Sequence, residues 1–284
     1  MDSNICFESI NSVSELLSII SNIKAIYGKK TEFGGCPPRV NGELNDQADF
    51  WFRGERNIEY KLCPKVMRKG QFTVEWYDEP LSRFTKEASA YLNNIDLKDT
   101  LLCMEYAQHY GTPTRLLDFS TNPLVALWFA CSDYNVDGHI WIINEHNYSN
   151  VCCCAFMKKF GMDCVDNNIL KDYNLNNQDN QVYPVAIYPS YVDARMLVQS
   201  SRFLLWPDDW QDLDDRIKKD NWMTIKEPEP KIKSYRFAYK VIIPKNKKET
   251  LLKELDMVGV NDKMLFPGLD GIGRYSDYLF RKNT

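Results

Sequence analysis

The chain has 284 residues, of which 44% are hydrophobic, 26% charged and 13% aromatic, with a net charge of −4. That composition belongs to a folded protein long enough to bury a sizeable core. It argues against a broad cationic footprint for duplex nucleic acid, and no apolar run reaches the roughly 18–20 residues of a membrane helix.

Ser12 and Glu15 have capping-box spacing, and Val13, Leu16, Leu17, Ile20 and Ile23 recur at helical period. They predict a helix over 12–27, ended by Gly28. Residues 31–47, rich in Gly, Pro, Asn and charge, read as a loop, so that 1–45 form a helical lead-in to a main unit over 46–284. Asp49–Arg53 reads as a short strand stopped by Gly54, with Phe50 and Phe52 on one face and Trp51 on the other. A glycine at that point lets another group approach the backbone closely. Arg53 beside it is either a ligand-binding cation or the partner of Glu55 or Asp49. Residues 60–70 form a turn with a basic edge, and 75–94 read as largely helical.

The stretch from Glu105 to Ala130 organises the chain. Asp99 or Thr100 caps a helix that closes at Gly111, with Gln108 and His109 in its last turn, where a histidine suits the negative end of the helix dipole. Pro113 prevents continuation. In the extended piece that follows, Thr114, Leu116 and Asp118 share one side, and Arg115 and Leu117 the other. Asn122 as N-cap and Pro123 at the first helical position open a helix, Leu124 to Cys131, that is apolar nearly all round and therefore buried. Its N-terminus could hold an anion, a place that Asp118 could also fill, and Arg115 with Asp118 could be a structural pair. Polar groups this dense among Leu, Phe and Trp must bond one another or face a ligand.

Gly138–Ile143 reads as a core strand, and Val151–Phe156, Val182–Tyr188 and Tyr235–Ile243 as further strands. Residues 166–181 read as a loop. Ala194 to Trp206 begins polar, with Arg195, Gln199 and Ser201, and ends in a strand-like apolar run. Residues 207–234, acidic and then basic, read as an exposed connection and candidate flap. A helix begins at Asn246, Phe266–Gly271 form a turn, and Ile272–Phe280 a last helix. Nine cysteines, an odd number with no Cys-x-x-Cys pair and no secretory pattern after Met1, read as reduced thiols in a cytoplasmic protein. Cys152, Cys153 and Cys154 would alternate across a strand, and His139 and His146 are isolated, so no metal site is expected.

Phe52-Arg53-Gly54, then Gln108 to Asp118, then Asn122 to Leu127 resemble the FRG domain family. Leu265 to Ile272 is similar to a segment common near the end of such proteins, so the resemblance spans 50 to 275. It implies a microbial or phage-type protein, in a family where defence or toxin roles are the habit and the activity is not settled. Arg53-Gly54, Gln199-Ser200-Ser201 and Glu227-Pro228-Glu229 bear a weaker similarity to ADP-ribosyltransferases. That similarity implies NAD as substrate, with Arg53 on its pyrophosphate and Glu229 stabilising charge on the ribose. The middle element is not Ser-Thr-Ser, and two prolines place Glu229 in a loop.

The expectation is an α+β fold, a mixed and mainly antiparallel sheet packed with helices behind an N-terminal helical lead-in. The candidate catalytic residues are His109, Asp118 and Glu229. The candidate ligand-binding residues are Arg53, Gly54, Thr114, Arg115, Asn122, Gln199 and Ser201. They fit an enzyme acting on a nucleotide-like, phosphate-containing substrate such as NAD. They also fit a non-catalytic module for an anionic ligand, a nucleic acid or a protein partner, or a structural network of Arg53, His109, Arg115 and Asp118.

Overall fold

The computed structural model describes residues 7–27, 39–40, 43–44, 49–68, 78–92, 96–149, 183–190, 192–206, 212–220, 222–226 and 232–282. Glu229, the expected strand with its three cysteines over 151–156 and the loop over 166–181 lie outside them. The fold is α+β. Seven strands form one sheet in the order β1-β11-β6-β4-β5-β8-β7. These are β1 (Phe7–Ser9), β4 (Phe50–Glu55), β5 (Leu116–Ser120), β6 (Gly138–Asn144), β7 (Val185–Ile187), β8 (Ser201–Leu205) and β11 (Ala238–Ile243). Only β1, against β11, pairs in parallel. Two small pairs stand apart, β2 (Arg39–Val40) with β3 (Glu43–Leu44), and β9 (Trp222–Lys226) with β10 (Ile232–Arg236).

Side-chain alternation divides the core. Phe50 and Phe52 join Ile140, Ile142 and Val241 in one cluster, whereas Trp51 joins Trp141, Leu117, Leu204 and Phe237 in another. The first cluster lies beneath α1 (Val13–Tyr27), α4 (Pro123–Ala130) and α7 (Lys245–Met257). Helix α1 begins as expected: Ser12 Oγ accepts from the Glu15 amide at 3.2 Å. The Glu15 carboxylate reaches one residue further back than a capping box requires, to the Asn11 amide at 2.7 Å. Four apolar residues of the lead-in, Ile10, Leu16, Ile20 and Ile23, are core residues.

Two glycines seat α4 on the sheet. A Cβ on Gly54 would lie 1.8 Å from the Ala126 carbonyl oxygen, and one on Gly138, on the neighbouring strand, 2.5 Å from that of Ala130. The close approach expected at Gly54 is therefore made by the helix that the downstream apolar run forms. Gly54 does not end its strand, which continues to Glu55, because the backbone of β6 pairs along the whole of it.

Other departures have local causes. Residues 194–198 form a short helix, α5 (Ala194–Val198), with the Asp193 side chain accepting from the Arg195 amide at 2.7 Å. The expected flap over 207–234 instead contains helix α6 (Leu213–Asp220) and the β9–β10 pair. Leu213 and Ile217 sit four apart on one helix face and are fully buried, which anchors it. The run over 235–243 breaks at Phe237, which turns its ring into the second core. The last helices are α8 (Asp262–Leu265) and α9 (Leu269–Lys282). Helices α2 (Glu79–Ala88) and α3 (Thr100–His109) lie between β4 and β5 in the chain, and Asp99 caps α3 by accepting from the Leu102 amide at 3.0 Å.

Candidate functional site

Strands β4 and β5 are neighbours joined by one register pair, Phe52 with Ser120. Beyond it they part. A cleft of about 570 Å³ opens there, lined from one sheet face by Phe52, Gly54, Asp118 and Ser120 and from the other by Arg53, Glu55 and Phe119. Residues from both faces meet because the sheet is split at this point. Helix α4 supplies one wall through Trp128 and Phe129, and α3 the opposite one through Glu105, Gln108 and His109.

Arg53 spans the split. Its Nε donates to Glu55 Oε1 at 2.6 Å, and its Nη1 donates across the gap to the Asp118 carbonyl at 2.6 Å. The Glu55 partner weighed in the sequence is thus real, and it fixes the guanidinium at the mouth of the gap. The Asp118 carboxylate does not seat on the α4 N-terminus; it accepts from Gln108 Nε2 at 2.8 Å. Asn122 caps α4 by accepting from the Leu124 amide at 3.0 Å. His109 Nε2 lies 3.5 Å from Asp193 Oδ2, a carboxylate placed to orient the ring.

The cleft brings together Arg53, Gly54, His109, Asp118, Gln199 and Ser201. Gln199 and Ser201 flank Ser200, whose φ of 50° is the one positive value among the described non-glycine residues. That turn is held by the Ser120 hydroxyl, which donates to the Gln199 carbonyl at 2.6 Å, and by the Thr121 amide, which donates to the Ser200 carbonyl at 3.0 Å. Thr114, Arg115 and Asn122 are placed elsewhere. The Thr114 hydroxyl donates to Gln108 Oε1 at 2.7 Å and accepts from the Leu116 amide at 3.1 Å. Arg115 is buried on the other side of β5, with Nη1 donating to the Trp206 carbonyl at 3.3 Å and Nε 3.7 Å from Asp78. Arg115 and Asp118 therefore do not pair, and alternation on β5 is the reason.

Several lining residues lack any sequence motif. Arg56, Arg68, Arg195 and Arg274 join Arg53 around the cleft. The guanidiniums of Arg195 and Arg274 lie 5.0 and 4.6 Å from the centre of the Phe266 ring, and both reach Asp270, at 3.5 and 3.6 Å. Phe266 in turn meets the edges of Trp128 and Phe129, at 5.7 and 6.4 Å between centroids. The result is an aromatic shelf flanked by cations. Glu105 is 1% exposed, and burial pushes its carboxyl up to about 7, opposed by the Ser190 amide. Its signal in the sequence was a single acid inside the apolar run of α3. The buried thiols of Cys63 and Cys131 are pushed up to about 12 by burial, which makes them poor nucleophiles at neutral pH. Among the described residues no three His, Cys, Asp or Glu side chains gather to hold a metal ion, and no helix is long and apolar enough to cross a membrane.

The FRG domain family model matches residues 48–138. The chain carries an FRG domain. No curated protein and no solved structure matches it. The matched segment runs from β4 to the first residue of β6 and so contains the split strands, the α3 wall and the α4 wall. The FRG motif itself is the seat of α4 together with the arginine that crosses the split. Arg195, Gln199, Ser201, Phe266 and Arg274 come from beyond the FRG domain and complete its cleft.

Proposed function

We propose that the cleft binds a nucleotide-like, phosphate-containing small molecule. The observation that carries this is the convergence of five arginines, from four separate segments, with the Trp128–Phe129–Phe266 shelf on a single cleft. Of the lining carboxylates, Glu55 is neutralised by Arg53, Asp118 is engaged by Gln108, and Glu105 carries a proton for part of the time near pH 7. Asp270 is shared between Arg195 and Arg274, so five guanidiniums face Glu55, Asp118, Asp270 and a partly protonated Glu105, and positive charge is in excess. Each charge-assisted bond from an arginine to a phosphate is worth roughly 1.5–3 kcal/mol and a stacked base roughly 1–3 kcal/mol.

The enzymatic form of this reading has NAD as substrate. It is supported by Arg53 and Ser201, from the two elements that resemble parts of an ADP-ribosyltransferase, lining the same cleft. The non-catalytic form is supported by Arg53 being already engaged at two of its donors. Calorimetric titration with ADP and with NAD, beside nicotinamide release from NAD, tests both. Saturable binding that weakens at least tenfold in Arg195→Ala/Arg274→Ala, whose side chains are partly exposed, supports the site. Nicotinamide release lost in Arg53→Ala makes it an enzyme. Absence of ADP and NAD binding by the folded protein refutes it.

A further inference from the structure

We infer that the cleft takes up its anionic ligand together with a proton, held by Glu105, which donates it as a hydrogen bond to an acceptor oxygen of the ligand. The inference rests on the binding reading above. Glu105 lines the cleft on α3, one turn before His109, and its side chain is almost entirely buried. Its Oε2 has no hydrogen-bond partner among the described residues. A buried carboxylate oxygen without a donor is costly when ionised, and the same atom carrying a proton needs only an acceptor. Among the described residues the walls offer it none, so an oxygen of the ligand is the partner that fits. A carboxyl kept neutral by its surroundings is a recognised way of supplying such a donor.

The charges around Glu105 do not change this. On α3 itself Asp99 acts on it and favours the protonated form, as burial does, against the Ser190 amide. On the neighbouring elements Arg83 of α2 is engaged by Glu79 at 2.8 Å, Asp118 of β5 by Gln108, Asp193 by His109, and Arg195 of α5 by Asp270. Arg115, just before β5, is buried on the far face. A bound anion adds negative charge to the same cleft and so raises the cost of ionising Glu105. By linkage, protonation then favours binding to the same extent.

The test uses ADP as probe, with the full chain, in calorimetric titrations at pH 7.5 to 9 run in two buffers of different ionisation heat. The dependence of the observed heat on the buffer reports protons taken up. The expected result is uptake of a fraction of a proton near pH 7.5 and affinity that falls up to about tenfold per pH unit above it, the limit for one proton. Glu105→Gln keeps a donor and loses the charge, so it should bind at pH 8.5 at least as tightly as the wild type, with no excess uptake. Glu105→Ala should bind weakly at every pH. Uptake and pH dependence unchanged in Glu105→Gln, or binding by Glu105→Ala equal to the wild type, overturns the inference and leaves the binding site standing. No ADP binding by any folded variant overturns both.

Discussion

Replacing Gly54 by alanine tests the contact around which the FRG domain is built. The added Cβ would stand 1.8 Å from the Ala126 carbonyl oxygen, 2.7 Å from its carbon and 2.8 Å from the Ala130 amide nitrogen. All three are backbone atoms of a helix, so no rotamer change relieves the overlap. The nearest routine carbon-to-oxygen approach is about 3.3 Å, so α4 must retreat by roughly 1.5 Å. A gap of even 0.5–1 Å forfeits roughly a quarter to a half of the dispersion energy across it. Helix α4 buries Val125, Ala126, Leu127 and Ala130 in the first core, and all would loosen together. Overpacking in cores costs about 1–3 kcal/mol where side chains can yield. Here the expected loss is at or beyond that upper end, about 3 kcal/mol or more, and a fall in Tm of roughly 6–12 °C. Gly111 is the control: its φ is +84° and nothing lies within 4 Å of where a Cβ would stand, so Gly111→Ala meets backbone strain alone, about 1–2 kcal/mol. Urea and thermal unfolding followed by circular dichroism decide the matter. Gly54→Ala within about 0.5 kcal/mol of the wild type, or no worse than Gly111→Ala, would refute the reasoning.

Three further outcomes are expected. Glu105 rises from 4.5 to about 7 on folding, so between those values the folded chain holds a proton that the unfolded chain has lost. Its contribution to stability falls as pH rises through that window, by up to about 3 kcal/mol, and Glu105→Gln should flatten the profile of urea midpoints from pH 5 to 8. His139 behaves in the opposite way: it is fully buried and burial lowers it from 6.5 to about 3, so the unfolded chain takes the proton first. Stability present above pH 6.5 is lost on acidification, about 2 kcal/mol by pH 5, and His139→Leu should lack that part of the acid loss. Lys248 is fully buried, its Nζ donating to the Arg56 carbonyl at 2.8 Å and the Asp133 carbonyl at 2.6 Å. Lys248→Met should leave both acceptors unmet and cost about 2–4 kcal/mol in equilibrium unfolding, with a change at Arg56 on the rim of the cleft.

Local chemistry made much of this legible. Asn122 and Pro123 start α4, Asp99 starts α3, and Gly111 ends the α3 turn, as their residue types require. The apolar alternation of Phe50 to Phe52 and of Leu116 to Asp118 assigned faces correctly. What the sequence left open depended on distant contacts. Arg115 and Asp118 look like partners three residues apart, yet a strand sends them to opposite sides, and Arg115 finds the Trp206 carbonyl 91 residues away. Gly54 reads as a strand end when its helix partner, 72 residues later, is not in view. The three-residue β1 was too short to show a period, and β11 alone gives it a place in the sheet. Arg195 and Arg274 carry no motif, and Phe266 lies in the Leu265–Ile272 segment with no sign there of a site; only the fold brings the three beside Arg53.

The most direct test of the nucleotide-like binding site is an amide and indole chemical-shift map of the labelled protein during addition of ADP. The account predicts saturable shifts that cluster at the Gly54, Ser120 and Gln199 amides and at the Trp128 indole, the groups that line the split between β4 and β5 and its aromatic wall. Shifts confined to residues remote from that split, or none at millimolar ADP in a protein that stays folded, would contradict it.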